Sequence, residues 1–366
     1  MKKIIHINII LFSLFLGTML CSCSSSIKVD IRGKLSDNAA SEVYLVVEDT
    51  QIDTLAHATV RADNTFHLRG EVAEPRTAFI CDDNGNALAM FLTEEADLQL
   101  KPQLPSGYLV EGGPINDKYN LILKRISALA EQAINIDFAE ETAQEEYESL
   151  TFKHHDAIAT AISDNLDNII GVELFLSHEV RGMTAEDMRV RFGQFSPQMQ
   201  SLKVMQEFEK YISIFEKIEI GKDFLDAEVE NLSGETLRLS DVCGKGKWVL
   251  IDFWATWCEP CLNQMPLLKA LYERYALQGF EVLAISLDKE VGRWKAFVAQ
   301  NGLLWYNVID TESEQSAAKT YGLQSSPSSF LISPEGKIVA RDLSAEALAH
   351  ELEHIFGEKN HAGEGE

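Results

Sequence analysis

The sequence predicts three structural segments: an N-terminal antiparallel β sandwich or barrel over 23–112, an α-helical segment over 113–216, and a C-terminal α/β layered sheet over 217–357. Three observations predict them. Apolar and polar residues alternate in the first segment, apolar residues recur every three or four positions in the second, and apolar runs alternate with helical patterns in the third. A polar tail is expected over 358–366.

The first 22 residues have the features of an export signal. Lys2 and Lys3 precede an interrupted apolar stretch from Ile4 to Leu20, whereas a spanning helix requires ~20 apolar residues. The stretch "LCSC" at 20–23 resembles the lipobox of bacterial lipoproteins. That resemblance implies lipidation of Cys23 and a protein anchored in the cell envelope, facing the periplasm. Ordinary cleavage to a soluble protein is the alternative.

The β segment consists of short alternating runs broken by turn residues. Strands are expected in "KVDIRGKL", "EVYLVVE", "TLAHATVR" and "TFHLRGEV". A hairpin follows, in which "TAFIC" and "ALAMFL" flank the turn from Asp82 to Asn86. So many short strands indicate a small sandwich or barrel.

The helical segment begins with apolar residues spaced by 4, 3, 4 and 3, which places them on one helical face: Ile122, Ile126, Leu129, Ala133 and Ile136. Further helices are expected over 140–165, 168–180, 185–192 and 197–215. This segment shows no pattern of catalytic residues.

The C-terminal segment contains two runs that indicate buried strands, "WVLIDFWA" and "FEVLAISLD". A third strand is expected in "LWYNVID", and a hairpin in "SSFLIS" and "KIVARDL". Helices are expected from Cys258 to about Leu277, and over 291–300, 312–321 and 345–356. Strands that alternate with helices indicate a layered α/β fold.

Charge and cysteine content exclude two classes of protein. With a formal net charge of −25, the chain offers no basic stripe to a phosphate backbone, so nucleic-acid binding is not expected. Six cysteines are too few for a disulfide-stapled scaffold. Cys81 and Cys243 are expected to be buried, as small apolar residues.

Cys258 and Cys261 stand two residues apart, which is the spacing of half a zinc site or of a redox pair. A structural zinc site needs two further Cys or His ligands at short spacing, and none follows within 85 residues. A redox pair needs an exposed, thiolate-prone sulfur. Cys258 lies where a strand runs into a helix, whose free N–H groups and dipole stabilise an anion. Cys261, one turn further, is placed to resolve a mixed disulfide.

The stretch "DFWATWCEPC" resembles the thioredoxin active site, and 218–357 resembles the TlpA/ResA branch of membrane-anchored thiol-disulfide oxidoreductases. Three further features carry the likeness: Trp257 before the first cysteine, Pro266 five residues after the second, and an insertion over 290–309. The resemblance implies an α/β thioredoxin-like fold for the C-terminal segment. The preceding segment resembles the β-rich domain of unknown function found before such modules.

The resemblance also implies roles for single residues. Pro327, in "GLQSSPSSFLISPEGKIV", matches the family's cis-proline, whose bond turns the backbone of Ser326 toward the sulfurs to pair with substrate. Trp257, Glu259 and Pro260 are the other expected substrate contacts.

Asp252 matches the carboxylate that handles the proton of the second cysteine in thioredoxins. Ala284 replaces the lysine that faces this carboxylate in thioredoxin, and Gln264 replaces a glutamate of ResA-type proteins. A carboxyl group buried without a cation favours its protonated form and is able to exchange a proton with Cys261.

The expected activity is protein-disulfide reduction, because Glu259 beside the sulfur opposes thiolate formation and strong oxidants need a very acidic nucleophile. In the family, a membrane electron donor regenerates the dithiol. The resemblance implies disulfide-containing envelope proteins as substrates, which in the family are typically either apocytochrome c, at its haem-site thiols, or other misoxidised proteins. No cofactor and no metal is expected.

The sequence also contains features of three other kinds of protein. "HELEH" at 350–354 satisfies the HExxH zinc-protease pattern, but the chain ends at Glu366 and leaves no room for a substrate cleft. A thiol peroxidase of the peroxiredoxin type shares the fold but requires a differently flanked cysteine. A lipoprotein whose N-terminal segments dock a partner is the alternative outside enzymes.

Overall fold

The computed structural model of the chain describes residues 26–36, 40–48, 52–103, 107–140, 142–311, 313, 315–323 and 326–362. The chain divides into two compact units, and the boundary falls between His154 and His155. Within the described ranges, no helix combines the length and the apolar composition that crossing a membrane requires. The export signal and Cys23 lie outside the described residues.

The first unit contains eight described strands, which follow the alternation of the sequence: β1 (Ile27–Lys34), β2 (Glu42–Glu48), β3 (Ile52–Thr59), β4 (Thr65–Val72), β5 (Thr77–Asp82), β6 (Ala87–Leu92), β7 (Asp97–Pro102) and β8 (Tyr108–Glu111). They form two four-stranded sheets, ordered β4-β1-β7-β8 and β3-β2-β5-β6. Side chains from both sheets share one core, including Ile31, Leu45, Leu68 and Ile80. The prediction of a β sandwich is therefore confirmed.

One pair of neighbouring strands in the first sheet, β1 and β7, is parallel, with Ile31 opposite Leu98. The other described pairs of both sheets are antiparallel. Parallel strands need a long connection, which the chain from β2 to β6 supplies.

Two long helices follow in the chain, α1 (Pro114–Ile134) and α2 (Ala143–Ser163). Helix α1 begins where Glu94 accepts hydrogen bonds from the backbone N–H groups of Ile115 and Asn116 at 3.1 and 2.8 Å. These bonds satisfy two of the free donors at a helix start.

After α2, the second unit contains α3 (Ile169–Leu174), α4 (Ala185–Gln194), α5 (Pro197–Gln200) and α6 (Lys203–Phe215). Helix α4 extends two residues beyond the predicted end at Phe192. The helix expected over 168–180 continues after α3 as a π-helical turn, Phe175–Glu179. The helix expected over 197–215 is interrupted, because Leu202 adopts an extended backbone and is buried.

The rest of the second unit alternates strands and helices. The strands are β9 (Glu228–Asn231), β10 (Thr236–Arg238), β11 (Trp248–Trp254), β12 (Phe280–Ser286), β13 (Tyr306–Asp310), β14 (Ser328–Ile332) and β15 (Ile338–Arg341). The helices are α7 (Glu259–Tyr275), α8 (Val291–Asn301), α9 (Ala317–Thr320) and α10 (Ala345–Ala362).

The strands form one sheet in the order β10-β9-β13-β12-β11-β14-β15. Strands β11, β12 and β13 are parallel, and β14 runs antiparallel to β11. Every residue of β12 is buried, as expected for a parallel strand covered on both faces. The C-terminal segment therefore has the thioredoxin-like α/β fold that the sequence predicts.

Two predicted helix boundaries are wrong. The helix expected over 312–321 contains only α9, because Ser316 caps its start and the Asp310 carboxylate accepts from the Ala317 N–H at 2.7 Å. Helix α10 continues to Ala362 instead of ending at Phe356, so the expected polar tail is partly helical. Glu358 and Lys359 are strong helix formers.

Helices cover both faces of the sheet. Helices α7, α8 and α10 bury apolar side chains on one face, among them Leu268, Trp294 and Leu352. On the other face, α6 approaches the edge of the sheet, and the guanidinium of Arg341 lies 4.3 Å from the ring centre of Phe215 and 5.1 Å from that of Phe330.

Candidate active site

Cys258 and Cys261 are joined by a disulfide bond at the junction of β11 and α7, with their Cα atoms 5.3 Å apart. This separation lies in the ordinary range for a disulfide. Cys258 is the N-cap of α7, and its sulfur accepts a hydrogen bond from the Cys261 N–H at 3.3 Å. The same N–H group is therefore aimed at the sulfur that becomes a thiolate when the bond opens.

The local sequence explains why a helix starts here. Cys258 keeps an extended backbone, and Pro260 occupies the first turn, where its missing N–H costs no hydrogen bond. Along α7 the buried residues recur every three or four positions: Cys261, Met265, Leu268, Leu271 and Tyr275. This stripe places Cys261 on the buried face of the helix, in its first turn.

The expectation of an exposed attacking sulfur is wrong for the disulfide form. Cys258 is 4% exposed and Cys261 5%, so both are buried. Trp257, in contrast, is 60% exposed, and Glu259 and Pro260 are also exposed. The accessible surface at this junction is therefore formed by the neighbours of Cys258 and not by the disulfide itself.

Asp252 lies in the middle of β11, where strand pairing places it opposite Ala284 of β12 and Ser329 of β14. Burial, which removes water from around the carboxyl group, raises the pKa of Asp252 to about 7. Ala284 brings no charge to this position. The group therefore changes its protonation state near neutral pH.

A small cavity of about 30 Å³ connects this carboxyl group with Cys261, because Asp252, Cys261, Gln264, Pro327 and Ser329 all line it. A water molecule needs roughly 10–15 Å³ of such space. The cavity therefore has room for one or two water molecules between polar side chains from β11, α7 and β14.

The Ser326–Pro327 peptide bond is cis, as the resemblance implies. Pro327 is exposed, and Ser326 is partly exposed. The structure thus brings Cys258, Cys261, Asp252 and Pro327 into one region.

Sequence analysis missed a buried hydrogen-bond network next to this region. The carboxylate of Asp288 accepts from the Thr256 N–H at 2.9 Å and from the Thr256 Oγ1 at 2.6 Å. It also accepts from Ser286 Oγ at 2.8 Å, and all three residues are buried. Thr256 stands two residues before Cys258, so this network fixes the segment that carries the first cysteine. The sequence contains one hint of this network, an aspartate two residues after the end of the buried strand β12.

The other singled-out residues form no second site. Cys81 and Cys243 are free and buried, and burial raises the pKa of the Cys243 thiol to about 12. His350 and His354 lie exposed on α10. Across the part of the chain that the structure describes, no three His, Cys, Asp or Glu side chains are placed to hold a metal ion.

Comparison with known proteins identifies a matching family and relatives of this chain. The model of the AhpC/TSA family matches residues 220–341. The thiol-disulfide oxidoreductase ResA of Bacillus cereus is 38% identical over 149 residues, which are 41% of this chain and 83% of that protein. The ResA protein of Bacillus subtilis is 35% identical over 143 residues, which are 38% of this chain and 78% of that protein.

Solved structures give further similarities. The thioredoxin domain of a thiol-disulfide oxidoreductase from Bacteroides vulgatus is 28% identical, with a TM-score of 0.35, and the match covers 38% of this chain and 98% of that one. A thiol-disulfide oxidoreductase from Bacteroides fragilis is 34% identical, with a TM-score of 0.34, over 37% of this chain and 99% of that one.

The match to the ResA protein of Bacillus cereus spans 83% of that protein at 38% identity. The region that the AhpC/TSA family model matches, residues 220–341, holds the disulfide, the Asp252 carboxyl group and the cis-proline. This chain therefore belongs to the ResA family of thiol-disulfide oxidoreductases.

Proposed function

We propose that this thiol-disulfide oxidoreductase reduces disulfides of exported proteins in the cell envelope through the Cys258 and Cys261 dithiol. The observation that carries the proposal is the position of the Cys258–Cys261 bond at the N-terminus of α7. Backbone N–H groups there stabilise a thiolate, which is the attacking species in disulfide exchange.

The reaction proceeds in two exchanges. The Cys258 thiolate attacks one sulfur of the substrate disulfide, forms a mixed disulfide, and releases the other substrate sulfur as a thiolate that takes up a proton. Cys261 then loses its proton and attacks the Cys258 sulfur, which forms the Cys258–Cys261 bond and releases the second substrate sulfur as a thiolate, also protonated. Two electrons pass to the substrate.

Asp252 is the proposed acceptor of the Cys261 proton. Both side chains line the same small cavity, so one water molecule is able to connect them. The pKa of Asp252, raised by burial to about 7, suits a base that works near neutral pH.

The substrate is proposed to lie over the exposed side chains of Trp257, Glu259 and Pro260 and to pair with the backbone at Ser326, next to the cis-Pro327. The carboxylate of Glu259 lies in the first turn of α7, beside Cys258. Negative charge there opposes thiolate formation, which supports a reductant over an oxidant.

The proposed location is the periplasmic side of a membrane, with lipid on Cys23, and the proposed source of electrons is a membrane donor. The "LCSC" stretch supports the anchor. Radiolabelled lipid should label the natural chain and not Cys23→Ala. The substrates include apocytochrome c or other disulfide-containing envelope proteins.

Trapping tests the activity. In cells that make the full chain with Cys261→Ala, we expect exported cysteine-containing proteins to accumulate in mixed disulfides that a reductant releases. The Cys258→Ala, Cys261→Ala double variant is the matched control, and Cys243→Ala should change nothing. Capture equal to that of the double variant would refute the proposal. So would a reduction potential near the about −120 mV of a strong periplasmic oxidant. Rapid peroxide consumption that needs Cys258 alone would instead indicate a thiol peroxidase.

A further inference from the structure

Asp342 follows the last residue of β15 and has a left-handed backbone, with φ of 50°. This conformation favours glycine, and aspartate adopts it only occasionally. In the pairing of β14 with β15, Phe330 lies opposite Arg341, so Asp342 lies opposite Ser329. The left-handed turn ends the strand at that point.

The carboxylate of Asp342 accepts the hydrogen bond that a backbone carbonyl oxygen of β15 would accept in a regular strand pair. The Asp342 N–H donates to the Ser329 carbonyl oxygen at 2.8 Å, as in a regular antiparallel pair. The return bond differs, because the Ser329 N–H donates to Asp342 Oδ1, at 3.1 Å. Ser328 Oγ donates to the same oxygen at 2.6 Å.

These three bonds hold the two residues that directly follow the cis Ser326–Pro327 bond. Ser329 and Pro327 line the cavity that also contains Cys261, and Leu343, the neighbour of Asp342, lines it as well. The bonds from Ser328 and Ser329 to Asp342 therefore act two to three residues from Ser326, where substrate is proposed to pair.

We propose that Asp342 is a positioning residue for the substrate-pairing segment, and that it sets the preference for extended polypeptide disulfides over small disulfides. The inference rests on the proposed function, because it assumes that substrate pairs with the backbone at Ser326. A small disulfide needs only the Cys258 thiolate. A polypeptide also needs the segment from Ser326 to Ser329 in register, so Asp342 discriminates between the two classes.

The test uses single-turnover oxidation of the pre-reduced full chain by two probes: a peptide that carries a glutathionylated cysteine in an extended sequence, and hydroxyethyl disulfide. Asp342→Gly keeps the left-handed backbone and removes the carboxylate. We expect it to slow the reaction with the peptide at least fivefold, because the peptide concentration that gives half the maximal rate should rise. The rate with hydroxyethyl disulfide should change less than twofold. Asp342→Asn is the matched control, because it keeps an acceptor oxygen. Its rates with both probes should lie within twofold of those of the natural chain.

Two results would overturn the inference: a peptide reaction unchanged in Asp342→Gly, or an equal loss with both probes. If Asp342→Gly does not fold, Ser328→Ala gives the same test, with an expected two- to threefold loss for the peptide alone and no loss as the contradicting outcome. Failure of the natural chain to react with hydroxyethyl disulfide would instead reject the proposed redox function, so the two failures are distinguishable.

Discussion

At the scale of single residues, the site depends on how neighbours change the ionisation of a few groups. Asp252 has a carboxyl group whose pKa burial raises to about 7, while Ala284 lies opposite it in the neighbouring strand. Glu259 begins the helix that stabilises the Cys258 thiolate. Each group gives a prediction.

Asp252→Asn should slow the resolution of mixed disulfides by about a hundredfold at pH 7, because a positioned base contributes that much. In the natural chain this step should accelerate as pH rises through about 7, where the carboxyl group becomes a base. In Asp252→Asn the acceleration should be absent. Rapid mixing of the reduced protein with substrate at several pH values measures it, and Asp156→Asn, an exposed change on α2, is the control.

The same pKa predicts how stability depends on pH. A pKa raised on folding gives stability that is complete below the unfolded value and is lost as pH rises through the folded value of about 7. The loss at pH 8 amounts to at most about 4 kcal/mol, since each unit of pKa is worth 1.36 kcal/mol. Asp252→Asn should therefore be stabilising at pH 8 relative to its effect at pH 4. Urea unfolding at both pH values checks this, and a difference of the opposite sign contradicts it.

Glu259→Gln should make the protein a slightly stronger oxidant, because a negative charge next to the Cys258 thiolate is removed. An exposed charge near a helix terminus contributes about 0.5 kcal/mol, which is about 10 mV for two electrons. Equilibration with glutathione buffers measures the potential. Glu273→Gln, also exposed but near the other end of α7, should leave it unchanged.

The residue scale also shows what the sequence could predict. Cys258, Cys261 and Pro327 stand in short local motifs, so the sequence alone identifies them as candidate site residues. The Thr256–Asp288 pair joins two loops 32 positions apart, and Asp342 acts on Ser328 from 14 positions away. Neither pair has a fixed spacing, because a side-chain hydrogen bond across a sheet depends on register.

At the scale of elements, the segment before α7 is held by contacts that the helix itself does not supply. Thr256 donates two hydrogen bonds to Asp288, which lies two residues after the end of β12. The position of the first cysteine therefore depends on the strand next to its own.

Thr256→Val should cost about 1–3 kcal/mol, because it leaves a buried carboxylate oxygen without its hydroxyl donor. Thr256→Ser keeps the hydroxyl and should cost much less. Denaturant unfolding of the oxidised protein measures both changes. A cost of Thr256→Ser that equals or exceeds that of Thr256→Val would contradict the prediction, because serine keeps the hydroxyl and loses only the methyl group.

Element types were predictable and element ends were not. Strands β11 and β12 are apolar on both faces, which identifies buried strands in any context. The ends of α5, α6 and α9 depend on a buried Leu202 and on the carboxylate of Asp310, and periodicity contains neither contact. The parallel pairing of β1 with β7 is likewise set by topology.

At the scale of the whole molecule, the net charge gives an expectation about protein substrates. A chain with a net charge of −25 repels acidic proteins and attracts basic ones. The proposed divisions at 112/113 and 216/217 remain predictions, and the packing of Phe215 on Arg341 joins α6 to the sheet across the second of them.

Reduction of a lysine-rich disulfide protein should therefore lose rate on going from 20 to about 300 mM salt, by roughly tenfold, because salt screens the attraction. An acidic substrate of similar size should show a smaller or inverse dependence. Stopped-flow measurements at several ionic strengths test this, and equal salt dependence for both substrates would exclude electrostatic steering.

The burial of both sulfurs in the disulfide form has a consequence for the cell. Cys258 and Cys261 are 4% and 5% exposed, so we expect a dissolved thiol such as glutathione to open the bond slowly by collision alone. The disulfide form should then persist among small thiols. Its lifetime should depend on a protein that docks and exposes the Cys258 sulfur. We therefore expect an electron donor that docks on this protein to reduce it selectively, even where other thiols share the same compartment.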